Sequence, residues 1–125
     1  MSWHTIKLTP ADIYFSRFIR LRDKECIRCH KSGDGEHGII GLQCSHFFSR
    51  RKQSVRYDEQ NADSLCPGCH KKWELDKNGE YKEYKIKQLG QQGFDLLELR
   101  ANTPDKTIDK KLIAAYYRGE IKKLI

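Results

Sequence analysis

The sequence predicts a small α+β domain, in which a short sheet is flanked by helices at both ends of the chain. Apolar residues recur at helical spacing near the N-terminus and again after residue 80, a short apolar run precedes His46, and four cysteines form two Cys-x-x-Cys pairs. We expect one domain over residues 1–125, made of an N-terminal helix (1–24), a core stabilised by the cysteines (25–77) and a helical C-terminal part (78–125).

The N-terminal helix is predicted from its first turn. Thr9 suits the N-cap, Pro10 the first helical position, and Asp12 places an acid in the first turn. The helix should extend to about Arg22. Its apolar face is predicted to consist of Ile13, Phe15, Phe18, Ile19 and Leu21.

The middle of the chain alternates polar turns with short apolar runs. The glycine-rich stretch 31–38 predicts a hairpin loop, and the apolar run 39–44 suits a strand that delivers His46. Residues 58–65 are predicted as a polar turn. The second cysteine pair should open a helix from Cys69 to about Leu75.

The C-terminal part is predicted to be helical. Tyr81, Tyr84, Ile86 and Leu89 lie at helical spacing, and Gly90 and Gly93 follow as helix breakers. A short apolar helix over 94–99 and a last amphipathic helix over 112–124 complete the chain. The last helix could mediate a homodimer or pack back on its own domain.

Composition limits the function classes. The net charge is +7, from 24 Lys and Arg against 17 Asp and Glu, and the excess is spread along the chain, which suits contact with a polyanion. No apolar run is long enough to cross a bilayer, and the start, Met-Ser-Trp-His-Thr, lacks a secretory signal. We therefore expect a cytoplasmic protein without a membrane partner.

The cysteine pairs have the spacing of a structural zinc site. Cys26, Cys29, Cys66 and Cys69 can present four thiolates to one ion, and in a reducing compartment such pairs more often hold metal than form disulfides. Four unliganded thiols, or disulfides formed by later oxidation, are the alternatives. Cys44 is left over and is predicted to be a small buried hydrophobe.

Between and after the pairs, His46, Asn61 and His70 occur in an order that resembles the His-Asn-His (HNH, ββα-metal) nucleases. The stretches 42–50 and 55–66 are similar to the NinG (Rap) recombination nucleases of lambdoid phages, and the resemblance covers roughly residues 20–100. The resemblance implies a ββα-metal core and an endonuclease that cleaves branched DNA, including Holliday junctions and D-loops. For a phage-encoded protein the compartment would be the host cell cytoplasm.

The resemblance also implies roles for these residues. His46 would be the general base for water, Asn61 would brace the loop that holds His46, and His70 would bind a catalytic divalent ion. Glu74, one helical turn after His70, is a candidate second ligand. The ion would be Mg²⁺ or Mn²⁺, and the DNA-binding residues would be Arg50, Arg51, Lys52 and Arg56.

One position departs from the family pattern. Many HNH enzymes carry an Asp or another metal ligand immediately before the catalytic His, and this chain has Ser45 there. Two alternatives therefore stay open beside the structure-selective nuclease. The chain could be a catalytically inactive zinc-stapled DNA-binding module, or an HNH endonuclease that acts on linear duplex DNA.

Overall fold

A computed structural model describes residues 7–125 of the chain, and residues 1–6 of the predicted N-terminal segment lie outside this range. The described elements are α1 (Pro10–Asp23), β1 (Gln43–His46), β2 (Ala62–Leu65), α2 (Pro67–Glu74), α3 (Glu80–Ala101) and α4 (Lys110–Leu124). Two short 3-10 turns, Gln53–Val55 and Glu59–Asn61, lie between the strands. The predicted α+β class is confirmed. Within the described range, every helix is too short or too polar to span a bilayer.

The start of α1 confirms the predicted capping. The Asp12 carboxylate accepts hydrogen bonds from the Thr9 backbone N–H at 2.7 Å and from Thr9 Oγ1 at 2.9 Å. The buried face consists of Ala11, Asp12, Phe15, Phe18, Ile19 and Leu21. Ile13 was predicted to belong to this face but is 61% exposed. The reason is geometric, because a residue two positions after Ala11 points to the opposite side of a helix.

Strands β1 and β2 pair antiparallel, with Gln43 opposite Leu65 and His46 opposite Ala62. The predicted strand 39–44 lay too early, because β1 begins only at Gln43. The prediction of a polar turn over residues 58–65 was wrong in its second half, where β2 is buried along its whole length. Asp63 of this strand accepts hydrogen bonds from Tyr81 and Lys85 of α3, which no local pattern reveals.

Helix α2 follows β2 directly. Cys66 is its N-cap, and the Cys66 sulfur accepts a hydrogen bond from the Cys69 backbone N–H at 3.4 Å. Pro67 occupies the first helical position, so the helix begins two residues before the predicted start at Cys69. The order along the chain is thus strand, strand, helix, with the second cysteine pair at the start of the helix.

The two C-terminal helices pack on different parts of the domain, α3 on the 3-10 turns and α4 on α1. Gly90 interrupts α3 with φ 77° and ψ 160°, as predicted, whereas Gly93 lies inside the helix. Helix α4 packs on α1, where the Tyr117 ring lies 5.1 Å from Phe15 and 5.0 Å from Phe18 between centroids. The last helix therefore packs back on its own domain. A homodimer through its outer face stays a prediction.

Candidate functional site

Four cysteine sulfurs converge between the loop after α1 and the start of α2. The Sγ atoms of Cys26, Cys29, Cys66 and Cys69 all lie within 4.8 Å of one another. This grouping could hold a metal ion such as zinc, which binds four thiolates in a tetrahedron. All five cysteines of the chain are free thiols, and Cys44 lies outside the group, 6% exposed in the core. The predicted meeting of the two pairs is confirmed.

The local geometry prepares the sulfurs for a cation. Burial disfavours the Cys26 thiolate, but backbone N–H donors, among them Cys29, outweigh it and lower the pKa of Cys26 from 9.0 to about 6. At Cys69, burial and the neighbouring sulfurs raise the pKa to about 12, because they oppose a further negative charge. A divalent cation between the sulfurs would remove that opposition.

A cleft of about 590 Å³ lies beside α2. It brings together residues from β1, the loop after it, α2 and α3. Among its lining residues are four of the predicted site residues, His46, Arg50, His70 and Glu74. The fold thus places a strand imidazole, a helix imidazole, a carboxylate and a guanidinium around one opening.

His46 ends β1 with its imidazole oriented by the backbone. Its Nε2 lies 2.9 Å from the Arg56 carbonyl oxygen, which can only accept, so Nε2 carries the proton and Nδ1 keeps a lone pair. Nδ1 is buried and has no hydrogen-bond partner within residues 7–125. Burial, and next the charge of Arg50, lower the pKa of His46 to about 4. The ring is therefore neutral near pH 7 and can accept a proton.

Asn61 holds the loop that follows His46. Its Oδ1 accepts a hydrogen bond from the Phe48 backbone N–H at 2.8 Å. Its Nδ2 donates to the carbonyl oxygens of Phe48 at 3.0 Å and Val55 at 3.1 Å. Because Asn61 is fully buried, it cannot exchange these bonds for water without unfolding the loop. The geometry is that of a brace and leaves no group of the amide for direct chemistry.

His70 and Glu74 share one face of α2. The Nδ1 of His70 lies 2.7 Å from Gln43 Oε1, which orients the ring and leaves Nε2 with the lone pair. Burial lowers the pKa of His70 despite the opposing charge of Glu74, so the imidazole is available as a ligand. Within residues 7–125, the four cysteines form the only close group of three or more His, Cys, Asp or Glu ligand atoms. Any ion at His70 and Glu74 would therefore keep several waters, as Mg²⁺ does.

The predicted basic cluster divides into two environments. Arg50 lines the cleft, and its Nε is buried without a partner in the described part of the chain. Arg51 and Lys52 are exposed, and Lys52 Nζ lies 3.1 Å from Asn102 Oδ1. Of the predicted DNA-binding residues, Arg51 and Lys52 thus lie at the surface and Arg50 lies in the cleft.

Arg56, the fourth predicted DNA-binding residue, is buried. It is 2% exposed, and its Nε and one terminal nitrogen each donate to the Asp12 carboxylate at 2.8 Å. The same terminal nitrogen donates to the Lys7 carbonyl at 3.0 Å. With the guanidinium enclosed in this way, Arg56 cannot reach DNA, which corrects the sequence prediction.

The site also contains residues that sequence reasoning missed. Lys82 of α3 lines the cleft, and Asp12 of α1 forms an ion pair with Arg56. Nothing in the local sequence marks Lys82, because it lies on a helix whose other lysines are spread around it. The sequence identified Asp12 only as an acid in the first turn of α1. Its ion-pair partner, Arg56, lies 44 positions further along the chain.

Comparisons of the chain with protein-family models, with curated proteins and with solved structures found no match in any of the three. A functional assignment therefore depends on the residues of the chain, on their resemblance to the His-Asn-His nucleases and on their geometry.

Proposed function

We propose that the chain is a metal-dependent endonuclease of the His-Asn-His type, which hydrolyses phosphodiester bonds in branched DNA. One observation carries the proposal. His46 Nδ1 and Arg50 Nε are both buried without a partner in residues 7–125, and both residues line the same cleft. A buried polar group left unpaired costs about 1–3 kcal/mol. A bound phosphate oxygen for Arg50 and an attacking water for His46 would satisfy both atoms.

The chemistry assigns His46 as general base. As a water oxygen forms a bond to phosphorus, Nδ1 takes the proton of that water, the bond from phosphorus to the 3′ oxygen breaks, and the 3′ oxygen takes a proton from solvent. The hydrogen bond from Nε2 to the Arg56 carbonyl keeps the ring in the required tautomer and spreads the charge that it gains. Arg50 contributes positive charge where the phosphate becomes more negative.

His70 and Glu74 would hold the catalytic divalent ion. An imidazole nitrogen and a carboxylate are suitable donors for Mn²⁺, and for Mg²⁺ with water completing the shell. When bound, such an ion neutralises charge on the phosphate and on the leaving 3′ oxygen. The position before His46 adds no carboxylate, since Ser45 stands there and is 3% exposed.

The four cysteines would hold a structural Zn²⁺. Their mutual distances suit one tetrahedral ion, and neither pair lies in the cleft. By joining the loop after α1 to the start of α2, the ion would close a long loop that the small core holds less firmly alone.

The DNA partner is inferred from charge and from the resemblance to NinG. The net charge of +7 supports contact with a phosphate backbone, and so do the exposed side chains of Arg51 and Lys52, which directly follow Arg50 in the sequence. The preference for branched DNA comes from the resemblance alone.

The test is cleavage of a fluorescent four-way junction with Mg²⁺ or Mn²⁺, with the matching linear duplex alongside. The parent should cut the junction in preference to the duplex, and His46→Ala should bind the junction without cutting it. His37→Ala, a partly exposed histidine outside the cleft, is the matched control and should cut normally. Equal cutting of the duplex would favour the duplex-specific endonuclease instead.

A non-catalytic DNA-binding module is the second candidate. It is favoured by Ser45 and by the lack, within residues 7–125, of a third close His, Cys, Asp or Glu ligand at His70 and Glu74. Junction binding by the parent with no cutting under either metal ion would establish it over the nuclease.

A further inference from the structure

Arg56 contacts the proposed base and helix α1 at the same time. Its backbone carbonyl accepts from His46 Nε2 at 2.9 Å, and its guanidinium makes two hydrogen bonds of 2.8 Å to Asp12. We propose that Asp12 and Arg56 are positioning residues, whose buried ion pair holds the carbonyl that selects the tautomer of His46. This inference rests on the proposed function and extends its active centre to α1.

The pair is held rigidly on both sides. The side chains of Asp12 and Arg56 are 5% and 3% exposed, so water does not compete for their bonds. Thr9 fixes Asp12 by two further hydrogen bonds from its N–H and hydroxyl groups. Two parallel bonds to one carboxylate also fix the plane of the guanidinium, which a single contact would not do.

The backbone next to Arg56 is fixed as well. Asn61 Nδ2 binds the carbonyl of Val55, the residue before Arg56. The Arg56 backbone N–H donates to the Gln53 carbonyl at 3.3 Å. Two contacts therefore hold the Arg56 carbonyl that accepts from His46. Asn61 fixes the preceding residue, Val55, and the Arg56 guanidinium is bound to Asp12 of α1.

Stability alone does not explain an ion pair at this place. Two buried charges lose their hydration, and an apolar pair of similar volume often stabilises a fold equally well. An apolar pair cannot fix the orientation of the Arg56 carbonyl. A carbonyl that moves away from Nε2 would let the His46 proton shift to Nδ1, and the nitrogen intended as base would then be occupied.

The experiment compares two variants with the parent. Asp12→Leu combined with Arg56→Met replaces the ion pair by apolar side chains, and Arg56→Lys keeps the charge but loses the two parallel bonds. Arg100→Gln is the control, because it removes an exposed ion pair, Arg100–Asp58 at 2.9 Å, from the same loop region. Metal content and thermal unfolding establish that each variant is folded.

Two readouts separate positioning from packing. Nitrogen-15 shifts of the His46 ring, assigned with His46→Gln, should show one Nε2–H tautomer in the parent and in Arg100→Gln, and a mixture of tautomers in both test variants. On the junction, kcat should fall about tenfold or more with KM within about twofold, since misplacing a catalytic group by about 1 Å can cost about 100-fold.

A folded double variant with a single Nε2–H tautomer and parental kcat would overturn the proposal. If the double variant does not fold, the same two readouts on Arg56→Lys decide, and parental values there would overturn it equally. If the parent fails to cut any junction, the proposed function is wrong. The tautomer measurement then decides the positioning role by itself, because it needs no substrate.

Discussion

Lys85 of α3 places its ammonium 3.1 Å from the Asp63 carboxylate of β2, and neither side chain is exposed to solvent. Tyr81 donates to the same carboxylate oxygen at 2.8 Å. Burial raises the pKa of Asp63 and lowers that of Lys85, while the attraction between the two charges acts against both shifts. Asp63 pairs with Ser45 across the sheet, so this contact fastens the C-terminal part to the strand pair that carries His46.

The Lys85–Asp63 pair should be important for folding. Lys85→Met leaves the Asp63 carboxylate buried without its cation and should lower the free energy of unfolding by about 3–5 kcal/mol. Lys87→Met, at an exposed position of the same helix, should change it by less than about 0.5 kcal/mol. Urea unfolding followed by circular dichroism measures both. Equal stabilities for the two variants would contradict the assigned role.

Metal content should depend on four of the five cysteines. Cys69→Ala should lose the bound metal and much of the folded structure, because removing one thiolate opens the tetrahedral site. Cys44→Ala, buried but outside the group, should keep about one zinc ion per chain. Elemental analysis of the purified proteins measures the number of zinc ions per chain. Loss of zinc from both variants would show that the assigned group is wrong.

Asn61→Ala should weaken the loop after β1. The change leaves one N–H and two carbonyl oxygens without partners, which should cost about 2–4 kcal/mol of unfolding free energy. Gln60→Ala, at the exposed neighbouring position, is the control and should cost less than about 0.5 kcal/mol. Thermal unfolding measures the stability of both variants. Equal stabilities would contradict the role of Asn61 in holding the loop after β1.

Arg50→Gln should raise the pKa of His46. The Arg50 charge opposes protonation of the ring, so its removal should move the pKa upward from about 4, while burial still keeps it below 6.5. Proton NMR titration of the ring measures the shift. A downward movement in Arg50→Gln would contradict the assigned electrostatics.

The pH dependence of cleavage follows from the same pKa. The pKa of His46 is lowered to about 4, so the free base is already present above that pH. Cleavage that requires neutral His46 should therefore show no acid limb from this residue between about pH 6 and 8. Single-turnover rates across that range, with zinc content checked at each pH, provide the measurement. A rate that rises tenfold per pH unit would mean that another group is the base.

DNA affinity should fall steeply with salt. Arg51→Gln and Lys52→Gln should each reduce the slope of log affinity against log salt by about 1, as expected for a phosphate contact. Arg56→Lys should leave the slope unchanged, because Arg56 is buried against Asp12. Fluorescence anisotropy with a labelled junction at several salt concentrations tests all three. A DNA affinity that is insensitive to salt would contradict the proposed phosphate contacts of Arg51 and Lys52.

The elements that sequence patterns predicted well are those with local signals. The capped start of α1, the helix after the second cysteine pair and the break at Gly90 all depend on residues within about one helical turn of one another. Strand β2 was missed because Asp63 and Ser64 are typical turn residues when considered locally. Only the contacts of Asp63 with α3 make a buried strand possible there.

By itself, the sequence determined that the four cysteines of the two pairs form a group that could hold a metal ion, because residue type and spacing are sufficient for that inference. The assignment of His46, Asn61 and His70 to one catalytic site, which came from their resemblance to the His-Asn-His nucleases, stays a prediction. Only the tertiary structure decided that Arg56 is buried, since its partner Asp12 lies 44 positions away. The physical reason is that a charge is stable in the core only beside a partner from another element, and linear spacing does not show which elements meet.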